Sequence, residues 1–176
     1  CTDWSPKQTN GWSHSTTEAM SVRVSSEVLD ALSSQQPVVA LETAVLTAGL
    51  PKKPWNAAHG SAPLNLDSNE PVHLGLAKVM TQTVYSGDAV PAWICVLNGE
   101  LVIGASLEEL EELSSEDKNT KCSLSDIAIK MSSKQNAGTT VATTLLACNH
   151  QSLPNPIRTF ATGGIGGVHH NWNNEL

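Results

Sequence analysis

With 176 residues, 40% of them hydrophobic, the chain is long enough for one domain with a real core. A formal net charge of -7 excludes nonspecific attraction to nucleic acid or to an anionic membrane surface as the basis of function. No apolar run approaches the roughly 18 residues of a membrane span, and the first residues lack a charged-then-apolar leader pattern.

Residues 1–21 are rich in Ser, Thr and Asn, carry no periodicity and read as a disordered arm ahead of a domain over 22–176. The chain opens on Cys1 rather than Met, as expected of a processed or partial chain. Ser25 or Ser26 caps a short helix with Val28, Leu29 and Leu32 on one side. Pro37 starts a buried-strand run, Val38 to Leu41, that ends at Glu42. Open α/β sheets place ligand chemistry at such carboxyl ends, although the local pattern by itself favours a plain surface carboxylate. Residues 51–72, rich in Pro, Asn, Ser and Lys, make a loop too long for an ordinary connection.

Leu74 to Tyr85 predicts a helix with Leu76, Val79, Met80 and Val84 roughly in phase. Ala92 to Leu97, then Asn98-Gly99, then Glu100 to Ile103 predict a hairpin, because Asn-Gly supplies the two positive-φ positions of a type I′ turn. Ser106 and Glu109 form a capping box for a helix to about Leu113, whose glutamates face solvent. Ser123 opens a helix with Ile127 and Ile129 apolar, and Asn136-Ala137-Gly138 breaks it. Thr139 and Thr140 begin an apolar helix from Val141 to Cys148. An extended stretch from Ile157 to Thr162 then enters a loop with glycines at 163, 164, 166 and 167, a composition that lets an anion approach main-chain N–H groups. Strands and helices alternate after the hairpin, so the fold class is α/β. Cys1, Cys95, Cys122 and Cys148 fit no zinc or disulfide spacing. Cys95 and Cys148 read as buried thiols, which predicts a reducing, cytoplasmic setting.

Taken together, these segments resemble the pseudouridine-5′-phosphate glycosidases. Glu27 to Leu32, Pro37 to Thr43, Gly49-Leu50-Pro51, Ala89 to Ala92, Leu97-Asn98-Gly99 and Val102-Ile103-Gly104 are similar to that family's opening half, in order. Lys121 to Ile127 is similar to its Lys-x-Ser-Arg-Arg-Asp-Leu motif, and Gly138 to Ala142 and Phe160 to His169 match most closely. The resemblance covers roughly residues 24–170, about the first half of a family member, and implies part of an α/β/α fold. It also implies cleavage of the C–C glycosidic bond of pseudouridine 5′-phosphate to uracil and ribose 5-phosphate, reversibly, through an imine to a lysine and with manganese (Mn²⁺). Carried over by motif, Glu42 is the proton donor, while Lys121, Thr139, Thr140, Val141 and His169 bind the sugar phosphate.

A dinucleotide site at the glycines is disfavoured because no helix pattern follows. The adjacent His169 and His170 suggest no metal site, since neighbours rarely point at one ion.

The departures from the family pattern bear on activity. The manganese-binding Asp and the imine-forming Lys belong to motifs beyond the glycine loop that this chain does not contain, and Lys130 and Lys134 precede the Thr pair. Ala48 stands where the family has a histidine, and Leu124 and Ser125 where it has arginines. The expected partner is a small phosphorylated nucleoside or ribose 5-phosphate, with the chain in a homo-oligomer, trimeric in the family. The alternative is a catalytically inactive ribose-phosphate-binding or subunit-association module.

Overall fold

In the computed structural model, residues 21–55, 66, 69–115 and 120–165 are described. The organising element is β3, Val90–Leu97, in which all eight residues are buried. Continuous burial without alternation is the mark of a strand covered on both faces. Val90, Ala92, Ile94 and Val96 enter one core, and Trp93, Cys95 and Leu97 enter the other, as the period of two requires. Pro91 is tolerated because Val90 sends its N–H to Pro37 across the β2 side, so the missing donor at Pro91 faces the other way. There β4 pairs only from Ile94 onward.

Along one side of β3 runs β2 (Val38–Glu42), parallel, followed outward by parallel β7 (Thr159–Ala161). On its other side lie antiparallel β4 (Glu100–Ile103) and then β1 (Val22–Val24). The turn between β3 and β4 is Asn98-Gly99, at φ 52° and 84°, as the Asn-Gly pair predicts. Beyond the end of β2, β6 (Ala137–Thr139) takes over the same edge of β3, antiparallel, and carries β5 (Thr120–Cys122) in parallel.

Helices α1 (Ser26–Ser33), α4 (Ile127–Ser132) and α5 (Val141–Cys148) supply one core. A π-helical turn (Val45–Gly49), α2 (Val72–Ser86) and α3 (Leu107–Ser115) supply the other. The result is a three-layer α/β/α arrangement, in accord with the α/β expectation. Ser25 caps α1 by accepting from the Val28 N–H at 3.3 Å. The capping box on α3 is reciprocal: Ser106 N–H donates to Glu109 Oε2 at 2.9 Å, and Glu109 N–H donates to Ser106 Oγ at 3.2 Å.

Several local expectations need correction. Residue 21, assigned to the arm, is tied to β4 through Leu101 N–H to Ser21 O at 2.9 Å; residues 1–20 lie outside the described residues. The helix expected from Leu74 begins at Val72, and its buried face is Val72, His73, Gly75 and Ala77, with Leu76 only half-buried. Ser123 does not open α4; the Asp126 side chain folds back onto the Ser123 N–H at 2.6 Å, and the helix starts at Ile127. Ile129, expected on its apolar face, is 64% exposed. The break expected at Asn136-Ala137-Gly138 is present, with α4 ended at Ser132 and Ala137–Thr139 forming β6.

The long loop leaves and returns at one point. Pro54 bridges Pro71, Val72 N–H donates to Lys53 O, and His73 N–H and Nδ1 both bond Pro51 O at 3.3 Å. His73 is buried, and burial holds its imidazole below the ordinary value, with Lys52 adding to the effect against Pro51 O and Glu70. A lowered folded pKa means that the unfolded chain binds the proton more readily. This contribution to stability is therefore full above about pH 6.5, the unfolded value, and fades as pH falls below it. Thermal melts at pH 7.5 and 5.5 should show a drop that His73→Asn reduces; equal drops in the two proteins would refute a role for His73.

Candidate functional site

The site grows from an end-to-end meeting of two strands. β2 stops pairing with β3 at Glu42↔Ile94, and β6 begins at Cys95↔Gly138, so their carboxyl ends face each other along one edge. The carbonyl of Ile94 joins them: Thr43 Oγ1 and Thr139 Oγ1 each donate to it at 2.6 Å. Thr43 Oγ1 in turn accepts the Thr139 N–H at 3.0 Å. With the Thr139 proton committed to Ile94, Thr144 Oγ1 on α5 is the donor in its 3.0 Å contact with Thr139 Oγ1. Thr43 and Thr139 each donate once and accept once, and Thr144 donates, so the buried polar knot is satisfied rather than costly.

Gly138 is required at this crossing. A Cβ there would meet the Thr47 side chain, and would lie 2.8 Å from Thr43 O and 2.9 Å from Ala44 N. The close approach lets the turn after β2 rest on β6.

Glu42 projects from the end of β2, half-buried, and accepts from Thr162 Oγ1 at 2.5 Å. Thr162 follows β7 and itself accepts the Gly164 N–H at 3.3 Å, which links the glycine loop to the carboxylate. Neither Thr162 nor Thr43 was assigned a role from sequence. The signal available was position, because each follows the last residue of a strand that ends at the same level.

Thr140 occupies the N-cap position of α5, but its hydroxyl donates to Cys122 O at 3.2 Å instead of capping the helix. Thr143 Oγ1 joins it on the same carbonyl at 2.9 Å. The first turn of α5, from Val141, therefore has no side-chain cap on its amides, and an anion is favoured at such an end.

Of the residues singled out from sequence, Glu42, Thr139, Thr140 and Val141 are brought together at this junction. Thr139 is fully buried, with its hydroxyl bonded to Ile94 O. Lys121 is exposed one strand further out, paired with Gly138. Because Gly138 faces the turn at Thr43–Thr47, the pleat directs Lys121 to that side of the sheet, opposite the face that α5 packs on. His169 lies outside the described residues. Among the described residues no group of three His, Cys, Asp or Glu side chains gathers as a metal site would require. Cys95, Cys122 and Cys148 are free and buried, and burial raises the Cys122 and Cys148 thiols to about 11, so none is poised as a thiolate. A cavity of about 320 Å³ lined by Gln35, Gln36, Asn155 and Arg158 opens at the other end of β2 and β7 and does not communicate with Glu42.

Comparison with known proteins supports the fold. The profile of the indigoidine synthase A-like protein family matches residues 27–176. The chain is 38% identical over 150 residues to pseudouridine-5′-phosphate glycosidase 2 of Rhizobium johnstonii, covering 85% of this chain and 41% of the relative. It is 36% identical over 149 residues to the pseudouridine-5′-phosphate glycosidase of Escherichia coli, covering 84% of this chain and 41% of the relative. Among solved structures, the prealnumycin C-glycosynthase AlnA in complex with ribulose 5-phosphate superposes with a TM-score of 0.62 at 28% identity, over 86% of this chain and 41% of that one. An indigoidine synthase A-like protein from Thermotoga maritima gives a TM-score of 0.62 at 26% identity, over 85% and 42%. The chain thus spans about two fifths of the length of the relatives it matches. On sequence and fold together, it belongs to the indigoidine synthase A-like family that includes the pseudouridine-5′-phosphate glycosidases.

Proposed function

We propose that this chain supplies the sugar-phosphate half of a pseudouridine-5′-phosphate glycosidase site, taking ribose 5-phosphate or the phosphorylated C-nucleoside as ligand. The observation that carries the reading is the junction at Ile94 O, shared by Thr43, the neighbour of Glu42, and Thr139, which precedes the uncapped start of α5, with the glycine loop joined to Glu42 through Thr162. Relatives named for this activity and a neighbour holding a five-carbon sugar phosphate support it.

In this reading Glu42 delivers a proton at the sugar, and Thr162 orients its carboxyl. The amides of Val141 and its successor receive the phosphate, with Thr140 fixing the helix start. Lys121 adds a point charge from the other side of the sheet, and His169 completes the phosphate shell. Among the described residues no cluster of His, Cys, Asp or Glu gathers to hold the manganese that the family resemblance implies. Imine formation needs a lysine that the carried-over motifs do not place in this chain. Bond cleavage is therefore assigned to the longer family arrangement, a cytoplasmic homo-oligomer, and this chain alone binds without turnover.

Calorimetry with ribose 5-phosphate tests the reading. Few charge-assisted contacts remain, so the expected Kd is near 1 mM, about -4 kcal/mol. Lys121→Ala should weaken it roughly fivefold, about 1 kcal/mol. Added salt should weaken it further. Pseudouridine 5′-phosphate with Mn²⁺ should release no uracil. An absence of heat at about 10 mM ligand, ten times the expected constant, would reject the site. A borohydride-trapped sugar adduct would reject the assignment of cleavage to other residues.

A further inference from the structure

α5 is inverted relative to an ordinary surface helix. Against the sheet it buries Thr143, Thr144, Ala147 and Cys148, while Leu145 and Leu146 are 46% and 39% exposed. The buried threonines are held by Cys122 O and Thr139 Oγ1, so the inner face carries two polar side chains beside Ala147 and Cys148. A helix that remains apolar on its outward side is one packed on both sides. Leu124, from the turn between β5 and α4, is 51% exposed and walls the same surface. With Ala142, Leu145, Leu146, Asn149 and His150 it lines an open, predominantly apolar groove of about 650 Å³.

The next strand after α5 has the matching property. β7 pairs with β2 on one edge and, among the described residues, with nothing on the other. An open strand edge is a template for further pairing. The unfilled helix face and the unfilled strand edge thus belong to consecutive elements.

Length says what covers them. The E. coli relative aligns with this chain over 41% of itself, so more than half of that protein lies outside the aligned region and is long enough to cover such a face. We infer that the outward face of α5, with Leu124 and the free edge of β7, docks the polypeptide equivalent to the remainder of the family fold. That polypeptide places apolar side chains on Leu145 and Leu146. The inference rests on family membership and not on the phosphosugar reading, and it holds whether the segment is supplied in the same chain or by another.

Co-expression with the segment of the E. coli relative that follows its aligned region tests it. A one-to-one complex is expected by analytical ultracentrifugation, and Leu145→Glu with Leu146→Gln should weaken it about 30-fold or more, as for central interface anchors. Both side chains are outward, so the melting temperature of the free chain should not fall. Leu124→Glu, outside the helix, provides a second variant with the same expected direction. Failure to form the complex, a complex indifferent to these substitutions, or a self-associated chain that the same substitutions dissolve would each overturn the proposal. The last outcome would make the occupant a second copy.

Discussion

Gly138→Ala should destabilise the chain by about 3 kcal/mol, the upper range for forcing volume into a packed interior. The added Cβ meets backbone at Thr43 O and Ala44 N, 2.8 and 2.9 Å away, as well as the Thr47 side chain. A side chain could rotate aside; the two backbone atoms cannot move without drawing the turn away from β6. That displacement would also part Thr43 from Thr139 and open the Ile94 junction. Urea unfolding followed by tryptophan fluorescence measures the loss, and ribose 5-phosphate affinity should fall with it. A variant as stable as the parent would show that the turn is not pressed against β6.

Thr43→Val should cost a similar amount for a different reason. Valine keeps the shape of threonine but removes the donor to Ile94 O and the acceptor of the Thr139 N–H. Ile94 O retains Thr139 Oγ1, whereas the Thr139 N–H is left buried without a partner. A lost bond of about 1 kcal/mol and an unsatisfied amide of about 1–3 kcal/mol give an expected destabilisation near 3 kcal/mol. Thr43→Ser restores the hydroxyl and should recover most of it. If valine and serine were equally stable, the hydroxyl would have no part in holding the junction.

These two residues also mark the limit of what could be read from sequence. Asn98-Gly99, the Ser106–Glu109 box and Ser25 are local signals, in which a few neighbouring residues specify the geometry, and the structure follows them. Glu42 could be picked out because an acidic residue ends an apolar run. The Ala137–Thr139 strand could not, because Ala and Gly are poor strand formers and one Thr is too little signal. Its conformation is imposed by Cys95 on one side and Lys121 on the other, both distant in the chain. The same holds for Thr43 and Thr162, ordinary threonines until three strand ends are set side by side. Ile129 misleads in the opposite direction. It is apolar, but α4 is too short to show from pattern alone which face meets the sheet.

The stem formed by Pro54 and Pro71 separates length from shape. Whatever the chain does between those two residues, it re-enters α2 at a position fixed by Lys53 O and Pro51 O. Closing a longer excursion costs only about 0.6 kcal/mol for each doubling, so the segment can lengthen or shorten at little thermodynamic expense. The π-helical turn and the β2 end that carries Glu42 lie on the near side of this stem and are insulated from such changes. This is therefore the natural place for related genes to diverge in size without disturbing the chemistry, and for an affinity tag or reporter to be grafted.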